Sequence, residues 1–252
     1  MSNSTLRDTY DQVYRNGSAA FYTVDSWEES LLIHAMLPSW RGLKVLEIGC
    51  GEGRLAALLA MAGAAVTAVD YSDEALRIAA DRHRLPNLRF TDAAPDEWFD
   101  AVVLQGTLEH MDDWRSCLDE LVERHQPERI VTSSPSFLNP RGYIWQALRI
   151  LLDVPMSLTD QHYICPPDME RLCRERDWDL TYKSCHQDWA AGHTLIMDYA
   201  KRLPNALRDA KLETSRVSQL LAWLQETQQY HVPTDWSGAT VCYRITPREG
   251  RP

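Results

Sequence analysis

The sequence predicts an α/β fold built on a doubly wound, mostly parallel sheet, and three observations predict it. Between residues 43 and 134, short apolar runs alternate with amphipathic stretches, the pattern of strand–helix units whose strands are covered on both faces. Glycines at 49, 51 and 53 join the first apolar run to the first helical one. Polar side chains then recur at the ends of successive strands, the edge along which an open parallel sheet keeps its ligand crevice.

The elements follow in order. Helical stretches over about residues 4–16 and 26–37 precede the sheet. LKVLEIG (43–49) reads as the first strand, after which Leu55, Leu58, Leu59 and Ala62 recur on one helical face. AAVTAVD (64–70) is the second strand, and SDEALRIAADRH (72–83) opens on a Ser/Asp cap and continues as a helix. NLRFTD and FDAVVLQG are the third and fourth strands. Trp114, Cys117, Leu118, Leu121 and Val122 then form a helical stripe, and ERIVTSS is the fifth strand. Further on, residues 166–176 and 214–229 read as helices, with Val217, Leu220, Leu221 and Leu224 on one face of the latter. WDLTYKSC and GATVCYRITP complete the strands. No repeat or low-complexity linker divides the 252 residues, so one domain is expected.

Composition removes several function classes. Thirty-six acids against 26 bases leave a net charge of −10, contrary to the clustered Lys and Arg that a nucleic-acid backbone requires. The six cysteines (50, 117, 165, 173, 185, 242) form no CxxC or zinc-type spacing and read as free thiols of a reducing compartment. The first thirty residues lack an apolar signal core, and no apolar run approaches the roughly 18 residues of a membrane span. A cytoplasmic protein is the expectation.

The glycine loop is the main functional signal. Residues without a Cβ let backbone approach a ligand closely, and the following helix aims its first N–H groups at it. The spacing is GxGxG, with Arg54 where a dinucleotide fingerprint places its third glycine. A plain tight turn would use the same residues. Asp70, about twenty residues on, closes the second strand, where a carboxylate accepts hydrogen bonds from ribose hydroxyls or caps the next helix. Asp92 closes the third strand, placed to accept an exocyclic adenine amine or to sit in an exposed turn. Gln105 and Gly106 close the fourth.

With VLEIGCGEGRLA, AVDYSDEAL, RFTDAAP and DAVVLQGTLEHMDD within residues 43–134, the chain resembles a class I S-adenosylmethionine-dependent methyltransferase of the small-molecule type. It is similar there to ubiquinone-biosynthesis-type O-methyltransferases. The resemblance implies a Rossmann-like, mostly parallel seven-stranded sheet whose last strand, GATVCYRITP, runs antiparallel. It implies that Glu47, Gly49, Cys50, Gly51 and Gly53 surround the methionine part of S-adenosylmethionine, and that Asp70, with Tyr71, binds ribose. It further implies that Asp92 with Ala93 binds adenine beside Gln105, and that N-terminal aromatics, Tyr14 or Tyr22, cap the cofactor. The single domain then divides into an N-terminal helical cap (1–42), a cofactor-binding core (43–134), a lid insertion (135–165) and a C-terminal part with a helical insertion (166–252). S-adenosylhomocysteine is the expected product. The absence of a Tyr-x-x-x-Lys pair disfavours an NAD(P)-dependent reductase, and intact cofactor motifs disfavour a non-catalytic subunit.

Methyl transfer from a sulfonium needs alignment and dryness more than acid–base help. His110 in LEHMDD and His162 in TDQHYICPPDM are the catalytic candidates, since imidazole suits a base near neutral pH. No metal is expected; Glu109, His110 and His162 are the set that would hold one in small-RNA 2′-O-methyltransferases, but Gly106 stands where those enzymes carry their first glutamate. Residues 136–158 read as a helix apolar nearly all round, with only Gln146, Arg149 and Asp153 as a polar stripe. Such a helix is buried or touches something apolar: the core, a greasy acceptor, a second copy or a membrane surface. An apolar or aromatic small-molecule acceptor is therefore expected.

Overall fold

The computed structural model describes residues 11–12, 14–15, 26–154 and 161–248. Tyr22, most of the 4–16 stretch and the end of the 136–158 segment lie outside these residues.

Seven strands form one sheet: β1 (Lys44–Ile48), β2 (Ala65–Val69), β3 (Leu88–Thr91), β4 (Ala101–Gln105), β5 (Arg129–Pro135), β6 (Asp179–Cys185) and β7 (Thr240–Thr246). Their order across the sheet is β3-β2-β1-β4-β5-β7-β6. All neighbours from β3 to β5 pair parallel, whereas β7 pairs antiparallel with both β5 and β6. The strand order reverses between β1 and β4, the switch point where parallel sheets open a crevice. The central strands read as continuous apolar runs because helices cover both faces.

One face carries α1 (Glu28–Ala35) and α2 (Arg54–Met61), with Ile33, Trp40, Leu55 and Leu59 packed on Val45, Val103 and Val131. The other carries α4 (Trp114–His125) and α6 (Pro166–Glu175), with Leu118, Leu121, Met169 and Leu172 against Leu46, Leu104 and Tyr243. The helix α3 (Asp73–Arg82) joins β2 to β3, and the Ser72 side chain caps it by accepting from the Ala75 N–H.

A third apolar cluster is separate from both. It is built by α5 (Pro140–Leu152), α8 (His193–Asp209) and α9 (Val217–Thr227), with Trp145, Leu195, Tyr199, Leu203 and Leu224 buried at its centre. The short α7 (Gln187–Ala191) leads into α8. The all-round apolar helix is thus only half explained by burial: Trp145 is buried, while Tyr143, Ile150, Leu151 and Leu152 are exposed. Among the described residues no helix is long and apolar enough to cross a membrane.

Candidate active site

The loop between β1 and α2 turns through three left-handed glycines, Gly49, Gly51 and Gly53, at φ of 74°, 51° and 76°. At two of them a side chain is also sterically barred. A Cβ on Gly49 would lie 2.7 Å from Thr107 Oγ1, and one on Gly53 2.7 Å from Phe90 Cζ. The loop is therefore pressed against the β4 exit on one side and β3 on the other. Arg54 does not face the loop interior; its guanidinium sits 5.0 Å from the centre of the Trp27 ring. Glu52 is paired with Arg82 of α3. Burial holds the Cys50 thiol far above its ordinary pKa, so its position in the loop is one of packing.

Two carboxylates lie under this loop. Glu47, on β1, is 1% exposed, and its Oε2 has no hydrogen-bond partner among the described residues. Burial first, then the nearby Asp70 charge, push its carboxyl from 4.5 up to about 8. A buried acceptor without a donor costs free energy unless a ligand supplies one. Asp70, just past β2, accepts from the Gly51 N–H at 2.8 Å and the Ser72 N–H at 2.9 Å, one on each oxygen. Burial raises its pKa, and these N–H groups work against that rise. Asp92 and Ala93 are exposed immediately after β3, and Tyr71 is exposed beside Asp70. Of the N-terminal aromatics, Tyr14 is half-buried in a helical stretch; from the same stretch Asp11 accepts a hydrogen bond from Ser72 Oγ. The N-terminal residues thus reach the β2 end of the site.

The exit of β4 forms the opposite wall. Gln105 Oε1 accepts from Ser30 Oγ of α1 at 3.0 Å, which ties the N-terminal helix to the sheet edge. A short 3-10 turn, Leu108–His110, follows. The Glu109 carbonyl accepts from the backbone N–H groups of Gln161 (2.8 Å) and His162 (3.1 Å). The Gln161 side chain donates to the His110 carbonyl and to Asp112 Oδ1, both at 3.1 Å. The backbone segments that carry His110 and His162 are thereby held side by side. Among the described residues, Glu109, His110 and His162 do not converge as a ligand set. His162 Nε2 lies 3.1 Å from the Asp112 carbonyl, and Glu109 Oε1 turns back toward Gly106. Among the described residues no three His, Cys, Asp or Glu side chains converge to hold a metal.

Several site neighbours carried no sequence signal. Thr107 packs under Gly49 with its Oγ1 3.2 Å from the Ile48 carbonyl. At the tops of β6 and β7, His186 is buried, with Nδ1 3.1 Å from Thr240 Oγ1 and Nε2 3.1 Å from Ser26 Oγ. Arg141, in the first turn of α5, is buried against Trp189 of α7. These residues come from separate, irregular parts of the chain, and only the fold assembles them.

Comparison with known proteins agrees with this geometry. Residues 46–131 match a family described as a methyltransferase domain. The ubiquinone biosynthesis O-methyltransferase of Alkalilimnicola ehrlichii is 30% identical over 177 residues, covering 63% of this chain and 72% of that protein. The protein of the same description from Neisseria meningitidis serogroup C is 29% identical over 180 residues, covering 63% and 76%. Among solved structures, the fold matches a methyltransferase in complex with the Haloferax volcanii Trm112 activator, at TM-score 0.64 and 15% identity over 94% of this chain and 97% of that one. It also matches the chain of a DhpI–SAM–HEP complex, at TM-score 0.61 and 18% identity over 98% and 100%. With the β3-β2-β1-β4-β5-β7-β6 sheet and the GxGxG loop at its switch point, the chain belongs to the class I S-adenosylmethionine-dependent methyltransferases.

Proposed function

We propose that this enzyme transfers the methyl group of S-adenosylmethionine to a hydroxyl oxygen of a small aromatic acceptor. The observation that carries the cofactor side is Glu47. Among the described residues its buried Oε2 has no donor beneath a loop of three left-handed glycines, and the cofactor's methionine end brings a cationic amine. Glu47, Gly49, Cys50, Gly51 and Gly53 then hold that end, Asp70 and Tyr71 the ribose, and Asp92 and Ala93 the adenine. Gln105 closes the β4 side, with Tyr14 over the cofactor. A carboxylate at the end of β2 suits the ribose hydroxyls as an acceptor. Oxygen as the acceptor atom is supported by the O-methyltransferases among the relatives.

When bound, S-adenosylmethionine supplies an electrophilic methyl group on a sulfonium leaving group. The chain's share is alignment of the acceptor oxygen and exclusion of water. A carbonyl can only accept, so His162 Nε2 donates to Asp112 O, and the lone pair of the neutral ring sits on Nδ1. In this reading Nδ1 takes the acceptor's hydroxyl proton as the C–O bond forms, and His110 serves as a second base.

Thermal unfolding with S-adenosylhomocysteine, beside NADH and NADPH, tests the cofactor reading. At about 100 times its dissociation constant the homocysteine nucleoside adds roughly 2.7 kcal/mol, a rise of roughly 5–10 °C for a chain of this size. A rise with a nicotinamide cofactor alone would overturn the reading.

A further inference from the structure

The loop assigned above to the cofactor's methionine end has spent most of its own donors. The N–H groups of Gly49 and Cys50 both go to the Val69 carbonyl, at 2.8 and 2.9 Å, and that of Gly53 goes to the Cys50 carbonyl at 2.9 Å. The Gly51 N–H is held by Asp70. Arg54, next in the chain, is turned to the Trp27 ring. The Glu47 and Asp70 carboxylates below the loop suit an amine and a ribose, and they repel a further carboxylate. A zwitterionic amino-acid end therefore has its amine provided for, while its carboxylate needs a donor from another element.

Gln105 stands where such a donor is needed. Val45 and Val103 lie on the face covered by α1 and α2, and the strand period of two puts Glu47 and Gln105 on that face as well. Glu47 pairs in register with Val103, so Gln105 is one strand over and two residues nearer the carboxyl edge. At about 4.8 Å between strands and 3.3 Å per residue, their Cα atoms are roughly 8 Å apart, a gap that side chains of this length can close around one amino-acid group. Gln105 is only half-buried, and it borders the glycine loop directly. Thr107 Oγ1 lies 3.0 Å from the Gln105 carbonyl and 3.2 Å from the Ile48 carbonyl, beneath Gly49. The amide is also oriented from behind. Ser30, 2% exposed in the first turn of α1, donates from Oγ to Gln105 Oε1 at 3.0 Å. With its oxygen held there, the amide turns Nε2 and its two N–H donors away from Ser30, and no described residue accepts from them.

We propose that Gln105 binds the carboxylate of the cofactor's amino-acid end through Nε2, and that Ser30 is the positioning residue that aims it. Glu47 and Gln105 then read the amine and the carboxylate as a pair. This rests on the methyl-transfer reading of the site. The whole protein is titrated by calorimetry with S-adenosylhomocysteine and with its decarboxylated analogue, which keeps the amine on an aminopropyl thioether. The wild type should prefer S-adenosylhomocysteine by about 10-fold or more. Gln105→Glu has the same shape with an oxygen in place of the NH₂ group, and it should erase that preference. Ser30→Ala frees the amide and should reduce the preference by about 3-fold or more. In both variants the amine analogue should bind no worse than about 3-fold weaker than in the wild type. Glu47→Gln should weaken both ligands and leave their ratio in place. A merely structural role for Gln105 or Ser30 would weaken both ligands together. A wild-type ratio near one, or a Q105E protein that keeps the wild-type ratio, overturns the assignment; an S30A protein that keeps it overturns the positioning role. If Q105E does not unfold cooperatively, Gln105→Met replaces it with the same expectation. A failure of the methyl-transfer reading shows separately, as no binding of S-adenosylhomocysteine by the wild type at all.

Discussion

At the scale of single residues, Glu47 makes the sharpest statement about pH. Its carboxyl titrates at about 8 in the folded chain against 4.5 ordinarily, through burial and then the Asp70 charge. The folded state therefore holds this proton more tightly than the unfolded state does. Stability from this group is full below pH 4.5, falls as pH rises toward 8, and is level beyond. An amine arriving at Oε2 favours the ionised carboxylate, so ligand binding releases the proton. The affinity for S-adenosylhomocysteine should accordingly rise with pH up to about 8 and flatten above it. Glu47→Gln should remove that slope and weaken binding by about 10-fold or more. Calorimetry at pH 6 and pH 8 in buffers of different ionisation heat reads both the affinity and the proton count. A wild-type affinity that does not change between these pH values would contradict the assignment.

At the scale of elements, α5 shows what pattern reveals and what it conceals. Its helical character and ends follow from Asn139 as cap and Pro140 in the first turn, with the Asn139 side chain accepting from the Gly142 N–H. Its buried side could not be read, because apolar residues ring it; tertiary packing chose Trp145 and left Leu151 76% exposed. Trp145→Ala should cost about 3–5 kcal/mol, and Leu151→Gln should stay within about 0.5 kcal/mol; urea unfolding of the two variants checks the contrast. Equal losses would mean that the exposed side is covered. Strands β1, β2 and β4 were legible because burial on both faces makes each a short apolar run, closed by Gly49, Asp70 or Gln105. The helices α7 and α8 were not. The first is one turn and a half, and Pro204 lies inside the second, where a reader of sequence expects a break. For the same reason the proposed cofactor side is carried by residues visible in sequence, Glu47 to Gly53 and the strand ends of one contiguous stretch. The wall formed by Arg141, Trp189 and His186 was not visible there, since it draws on residues nearly fifty apart.

At the scale of the whole molecule, the three apolar clusters divide the labour. Two grip the sheet from either face, and the third, of α5, α8 and α9, stands apart with only Leu224 of α9 fully buried. A layer with few buried contacts opens at lower free energy than the sheet it rests on. Amide hydrogens of α9 should therefore exchange well before those of β4 and β5 in the ligand-free protein. S-adenosylhomocysteine should slow exchange in residues 47–53, around Asp70 and at the exit of β4, leaving α9 unchanged, because its contacts lie over β1 to β4. Mass-resolved exchange with and without S-adenosylhomocysteine reads both regions. If S-adenosylhomocysteine alone protected α9 as strongly as the glycine loop, the acceptor half would be ordered by the cofactor. The third cluster would then be part of the cofactor site, with no independent wall for the acceptor.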